Sequence, residues 1–404
     1  MTKKRILSLI TMLCMLISIV SLSAHATEEA LPEDEPASEL VQQQDSGADS
    51  GLADIGGKSA ILVEPETGAV LFEKNADEQL AAASVTKVMT LLLVVEAIDS
   101  GKLNLDDKIT ASRYAISMGG SQIWLKENEV MTVNELLKAT FVASANDAAV
   151  ALGEAVSGSN DAFIQRMNAR AKELGMKNTT YKNATGLDDD GHVTSARDLA
   201  IVSSELIKHE MIKDYTLIWM DYLRDGKTEL VNTNKLIKSY KGITGLKTGT
   251  TSKAGCCLSA TAERDGMKMV AVILGADNSA DRFSSATKLM DYGFANYDLA
   301  APEISGDMLD PIKVKSGMSQ QVRITADVGE KLLVPKGRGK DIAIELNIAP
   351  ELKAPVTKGM DAGKITLSLD GKVLGEYAVK TAEDAKAVSF WAVISKLFRC
   401  VLQP

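Results

Sequence analysis

The chain has 404 residues, 45% of them hydrophobic and 25% charged, with a formal charge of −9. That balance is ordinary for a folded protein with room for two domains, and the lack of any basic cluster interleaved with aromatics excludes nucleic acid as an expected partner. The negative charge is unevenly spread: Thr27 to Ser50 holds eight acids and no Lys or Arg, so much of it belongs to a disordered leader over residues 27–51 and not to the surface of the core.

The N-terminus carries Lys3, Lys4 and Arg5, an apolar run from Ile6 to Leu22, and then Ala24-His25-Ala26. This pattern predicts a secretory signal peptide, residues 1–26, cleaved after Ala26, and hence a protein that works outside the cytoplasm. Cys14 leaves with that signal; Cys256, Cys257 and Cys400 remain, an odd set that gives no disulfide framework. Neighbouring strand residues point to opposite faces, so Cys256 and Cys257 do not face one metal, and they read as ordinary strand residues.

The segment "KSAILVEPETGAVLFEKN" predicts a hairpin turned at Glu66-Thr67-Gly68. An apolar helix opening at Ser84 follows, and apolar residues at three and four spacing predict a mostly helical stretch from Leu91 to about Arg170. The next helix enters at Ser195, with Asp198 spaced as its acidic capping partner. Arg197 and Asp198 read as a structural or solvated pair, and the Asn178 and Asn183 sequons as chance matches. Three strand-like runs span "ITGLKTGTTSKAGCCLSATAERDGMKMVAVILGA", the last two joined at Asp265-Gly266, which predicts an antiparallel meander. Strands at both ends with helices between them predict an α+β domain over residues 52–298: one antiparallel sheet covered by helices.

From Ala300 the pattern alternates apolar and polar residues between Gly, Pro and Asp turns, predicting a small β-rich domain over 300–381 with no catalytic constellation. In the tail, residues 385–402, Trp391, Ile394, Phe398 and Val401 fall on one helical face, with Lys396 and Arg399 elsewhere. This segment is too short and too charged to span a bilayer, and reads as an interfacial amphipathic helix, with simple packing on the β domain as the alternative.

The chemistry lies in three short motifs. Ser84 and Lys87 stand three apart and share a helical face, so the lysine can take the serine's proton once burial or a nearby cation lowers its pKa. Ser285 and Lys288 match the same spacing, so the pair alone proves little. Downstream of Ser84, however, come Ser144-Ala145-Asn146 and then Lys247-Thr248-Gly249, the latter on a predicted strand. S-x-x-K, S-x-N and K-T-G in this order form the signature of penicillin-recognising serine enzymes. Gly249 lets a substrate backbone lie against the strand edge, and Thr250 offers its N–H beside the reacting carbonyl. Lys247 supplies a charge for a substrate carboxylate and disfavours protonated Lys87. Ser144 relays a proton to the leaving amine, Asn146 holds a substrate amide, and the N–H groups of Ser84 and Thr250 form an oxyanion hole. His192 and His209 lie near no G-x-S-x-G elbow, so a histidine triad has little support. His192 beside Asp188-Asp189-Asp190 reads as a loop residue and not as a metal ligand.

With "ASVTKVMT", "SAND", "NATGLDDDGH" before "TSARDLA", and "GLKTGTT", the chain resembles the low-molecular-mass penicillin-binding proteins of the D-alanyl-D-alanine carboxypeptidase type. The resemblance spans nearly the whole chain. It implies a β-lactamase/transpeptidase-like fold, a serine acyl-enzyme that removes the terminal D-alanine from peptidoglycan stem pentapeptides, acylation by β-lactams, and no cofactor or metal. It assigns Ser84 as nucleophile, Lys87 as base, Ser144 and Asn146 as the middle motif and Lys247, Thr248 and Gly249 as the strand motif; with the reading of the residues above, Ser84, Lys87 and Ser144 are expected to be catalytic and Asn146, Lys247, Thr248, Gly249 and Thr250 to bind substrate. The tail would hold the protein at the outer face of the membrane. Ala145 replaces the Asp of the class A β-lactamase pattern, and no Glu stands in a context like that of their deacylation base, which favours the carboxypeptidases. A slow-turnover wall sensor, a D,D-endopeptidase and a β-lactamase of the same fold are the alternative readings.

Overall fold

The computed structural model describes residues 52, 54–302, 304, 309–329 and 331–389. The signal segment, nearly all of the acidic leader and most of the tail lie outside them.

Strands β1 (Ser59–Glu64) and β2 (Ala69–Lys74) form the anticipated hairpin, its turn tied by the buried Glu64 carboxylate, which accepts from Glu66 N and Thr67 N. Helix α1 (Lys87–Asp99) follows a single 3-10 turn, Ala83–Thr86. Every residue of α1 from Lys87 to Val95 is buried, as a helix apolar all round must be. The stretch after it is less helical than its spacing predicted. Between α1 and α2 (Val133–Val142) lie a small hairpin of β3 (Lys108–Thr110) with β4 (Val130–Thr132), a one-turn helix and a long loop. Short three-residue strands are swallowed by a helical window, which is why periodicity missed them. Helices α3 (Asn146–Ser157), α4 (Asn160–Glu173) and α5 (Ala196–Leu206) complete the helical layer.

Ser195 caps α5 by accepting from Asp198 N, as its spacing predicted. The Asp198 carboxylate does not close the capping box; it accepts instead from Asn178 N and Thr179 Oγ1. Arg197 bonds Glu73 and Asp77, so the Arg197-Asp198 step is structural but not a pair with itself.

After a hairpin of β5 (Met220–Leu223) and β6 (Thr228–Val231), β7 (Ile243–Thr251), β8 (Gly255–Arg264) and β9 (Met267–Ala276) form the meander. The sheet order is β2-β1-β9-β8-β7, all antiparallel, with β7 at one edge. Along β9, Val270, Val272 and Leu274 face the core under the helical layer, while Met269, Ala271 and Ile273 face a second core closed by helix α6 (Ser279–Asn296). The alternation of period two sandwiches the sheet between helices. Ser285 lies on α6, and its hydroxyl accepts from Gly56 N at 2.8 Å; the second S-x-x-K match is a structural contact.

Strand β10 (Tyr297–Ala300) leads into an all-β domain built on a four-stranded and a three-stranded sheet around Ile312, Val322, Ile365, Leu367 and Val379. Of the segment read as a tail helix, residues 385–389 are extended, with bridges Val356 to Ala385 and Gly317 to Ala387; the remainder lies outside the described residues.

Candidate active site

Four pieces of chain converge where the 3-10 turn meets the sheet edge. Ser84 sits in that turn, not within the α-helix as its spacing suggested, and Lys87 is the first residue of α1. In a 3-10 turn residues three apart eclipse, which brings Lys87 Nζ to 2.9 Å from Ser84 Oγ. Ser84 alone in the turn is partly open to solvent; Ala83, Val85 and Thr86 are buried.

The Lys87 amine is wholly buried and has two further partners, Asn146 Oδ1 at 2.5 Å and the Thr185 carbonyl at 2.9 Å. Its pKa is driven well below the ordinary lysine value by desolvation and then by the Lys247 charge, against an opposing pull from Asp147. A neutral amine has two N–H groups and one lone pair. In that form the two carbonyl oxygens, which only accept, take the N–H groups and the lone pair is left for the Ser84 hydroxyl; in the protonated form Nζ donates to all three oxygens, Ser84 Oγ included.

Ser144 lies just before α3 at a φ of +61°. Its Oγ is buried without a hydrogen-bond partner among the described residues, a cost that a native site keeps when a ligand or reacting group is to fill it. Asn146, expected to hold a substrate amide, is occupied within the fold: Oδ1 accepts from Lys87 and Nδ2 donates to the Gly119 carbonyl at 2.6 Å. Here its amide holds the Lys87 amine.

Lys247, Thr248, Gly249 and Thr250 lie on β7, as predicted. Lys247 is buried, its pKa pulled down to about 7 by desolvation and then by Arg282. Thr248 Oγ1 donates to Thr233 Oγ1 at 2.6 Å, and Thr250 is exposed at the edge. The reason for glycine at 249 differs from the expected one. A Cβ there would meet Ser84 N at 2.7 Å, Ala82 O at 2.8 Å and Ala83 Cβ at 2.9 Å. It is the Ser84 turn that needs the space, and the glycine lets Ser84 N and the β7 edge stand side by side.

Sequence reasoning missed the supports. Gly186 has a φ of +82°, and a Cβ there would fall 1.8 Å from Ala83 O, so the loop "NATG" clamps the turn from below. Beneath it the buried His192 accepts from Lys182 N at Nδ1 (3.1 Å), which leaves the Nε2 proton for Thr86 Oγ1 at 3.0 Å. Burial lowers its pKa to about 4; a neutral ring with both nitrogens engaged has no lone pair for a cation, and its role is to hold the residue before Lys87. His209 meets Asp99 at the far end of α1. Arg282, from α6, donates to the Gly249 and Cys257 carbonyls and to Thr250 Oγ1. Asp147, buried next to Asn146, accepts from Ile123 N and Leu125 N. Asp147 and His192 stood inside quoted motifs, which was the only signal available. Cys256 and Cys257 are free thiols, the second buried, on opposite faces as their adjacency predicted.

A buried lysine beside a serine, a second lysine on an edge strand and an orphan hydroxyl two residues before the amide that holds the first lysine define an acyl-transfer serine hydrolase without histidine. Residues 43–278 match the D-alanyl-D-alanine carboxypeptidase family, and residues 304–387 match the penicillin-binding protein 5 C-terminal domain. The chain is 42% identical to the D-alanyl-D-alanine carboxypeptidase DacF of Bacillus subtilis over 82% of its own length and 87% of that protein. It is 32% identical to DacC of Escherichia coli, over 83% and 86%. Among solved structures, penicillin-binding protein 5 of Haemophilus influenzae superposes with a TM-score of 0.74 at 30% identity, covering 82% of this chain and 98% of that one. Penicillin-binding protein D2 of Listeria monocytogenes, solved in its ampicillin-bound form, is 37% identical with a TM-score of 0.54, over 59% of this chain and 97% of that one. The chain belongs to the D-alanyl-D-alanine carboxypeptidase family, the low-molecular-mass penicillin-binding proteins.

Proposed function

We propose that this serine-type carboxypeptidase removes the terminal D-alanine from peptidoglycan stem pentapeptides through an acyl-enzyme on Ser84. The observation that carries the assignment is the buried Lys87 Nζ at 2.9 Å from Ser84 Oγ, with two acceptor-only oxygens as its other partners, so that in its neutral form the amine keeps its lone pair for the serine proton. Ser84 Oγ attacks the penultimate D-alanine carbonyl as its proton passes to Lys87. The oxyanion rests on the N–H groups of Ser84 and Thr250, each such donor contributing about 2.7–4 kcal/mol. The C–N bond then breaks, and the proton returns through Ser144 to the departing D-alanine amine. In the second half a water gives its proton to Lys87, its oxygen attacks the ester, and Ser84 Oγ recovers the proton. Lys247, with Thr248, binds the substrate carboxylate, and Gly249 keeps the strand edge close to Ser84. A β-lactam enters the same path as far as the ester.

Release of D-alanine from a peptide ending in D-Ala-D-Ala tests this reading, beside a Ser84→Ala control. Release that requires Ser84, with loss of penicillin labelling in the control, supports it. Labelling without any release points to a slow-turnover sensor, and labelling that survives Ser84→Ala removes Ser84 from the role.

The domain limits of 52–298 and 300–381 and a membrane-facing tail complete the proposal. The Trp391, Ile394, Phe398 and Val401 face supports peripheral contact at the outer side of the membrane. Among the described residues no helix is long and apolar enough to cross one. Ending the chain after Lys386 is expected to release the protein from membranes without lowering activity on a soluble peptide; unchanged sedimentation refutes the anchor.

A further inference from the structure

The loop between Met118 and Val130 presents an indole to solvent three residues beyond Ser121, whose carbonyl accepts from Asn146 N. Trp124 is 73% exposed, and its φ of +57° is a conformation that bulky side chains avoid. Such strain persists only where the surroundings over-determine it, and it gathers at ligand sites. Here the surroundings are explicit. Ile123 N and Leu125 N, on either side of the indole, both donate to the buried Asp147 carboxylate, at 3.2 and 3.0 Å. The Ile123 carbonyl is held in turn by Arg224 Nη1 at 2.8 Å. Asp147 directly follows Asn146, whose own N–H donates to the Ser121 carbonyl at 2.7 Å and whose Nδ2 donates to Gly119. The platform is therefore rigidly tied to the residue that holds the Lys87 amine, yet the fold leaves most of Trp124 exposed.

Reach narrows what the indole meets. Trp124 lies three residues beyond Ser121, at most about 10 Å along the chain. A stem pentapeptide whose D-Ala-D-Ala end lies at Ser84 reaches at most about 17 Å, so its sugar-bearing end meets the protein outside the Ser84 cleft, on surfaces such as this loop. The stem's alanines and charged residues offer no flat apolar face, whereas the C–H face of a pyranose does, and a pre-oriented aromatic covers such a face at little entropic cost.

We infer that Trp124 is a specificity-determining contact for the saccharide that carries the stem peptide, its indole stacking on the pyranose ring while the peptide's end lies at Ser84. This rests on the reading of Ser84 as the reacting centre. The test uses the full chain with two substrates, a disaccharide pentapeptide and the same pentapeptide without sugar. Trp124→Ala is expected to lower kcat/KM about fivefold on the first, chiefly through KM, and to leave the free peptide and penicillin acylation unchanged; Trp124→Phe restores most of the loss. Equal losses on both substrates, or none on either, overturn the inference. Binding to the Ser84→Ala protein gives a readout independent of turnover. There the disaccharide peptide is expected to bind about fivefold tighter than the free peptide, an advantage that Trp124→Ala removes. Equal affinities with Trp124 intact overturn the inference even if turnover is normal. If the wild type releases D-alanine from neither substrate, the carboxypeptidase reading falls while the affinity ratio still decides the role of Trp124.

Discussion

Replacing Gly249 by alanine is the smallest change that tests how the Ser84 turn is held against the sheet. The added Cβ would lie 2.7 Å from Ser84 N, and its other two neighbours are the Ala82 carbonyl oxygen and the Ala83 Cβ. None of the three is the far end of a flexible side chain. Restoring ordinary contact moves Ser84 N by about 0.7 Å, more than the window of about 2.7–3.1 Å within which an oxyanion donor acts. Losing one such donor lowers the rate about 10²–10³-fold. Overpacking of this kind costs about 1–3 kcal/mol of stability, and each kcal/mol lowers Tm by about 2–4 °C in a domain of this size. Stopped-flow acylation by a fluorescent penicillin, with a melting curve alongside, reads both. Gly329→Ala serves as control, since its Cβ would meet only the Tyr377 ring edge at 3.7 Å. Acylation within threefold of wild type at an unchanged Tm would refute the argument that Gly249 exists to seat the turn.

Lys247→Met is expected to raise KM for a substrate with a free carboxylate and to change stability in a pH-dependent way. Because the native pKa is about 7 against an ordinary 10.5, the unfolded chain binds the extra proton between these values. The cost of burying the charge is full below pH 7 and gone above 10.5. The variant's Tm advantage over wild type should thus be largest near pH 6 and close as pH rises; a constant difference would count against a buried, charged Lys247. His192→Leu orphans Lys182 N and Thr86 Oγ1, at about 1–3 kcal/mol for each buried group left unpaired. His192 stays neutral to about pH 4 against an ordinary 6.5, so wild type loses stability as pH falls through that window. The variant's deficit in Tm is expected to shrink from pH 7 to pH 4.5, and a deficit that stays level would show that the ring is not the titrating group.

What the sequence determined alone was local. Alternation placed the Glu66–Gly68 turn and the three strands of the meander, apolar spacing placed α1, and three motifs in order placed Ser84, Lys87, Ser144, Asn146 and Lys247 in one family of sites. These follow from period, turn chemistry and residue type, which neighbours in the chain fix among themselves. Tertiary structure decided what depends on distance between remote segments. It put Asn146 on the Lys87 amine, gave Gly249 a steric duty towards Ser84, and turned His192 into a buried neutral brace. It also lowered the pKa of Lys87 and Lys247, because desolvation, the Lys247 charge beside Lys87 and the Arg282 charge beside Lys247 exist only once the sheet, α1 and α6 have closed around them. The Asp147 clamp and the strained indole it holds have no signature in composition or spacing, since a backbone N–H looks the same in every sequence until a carboxylate from another segment is folded against it.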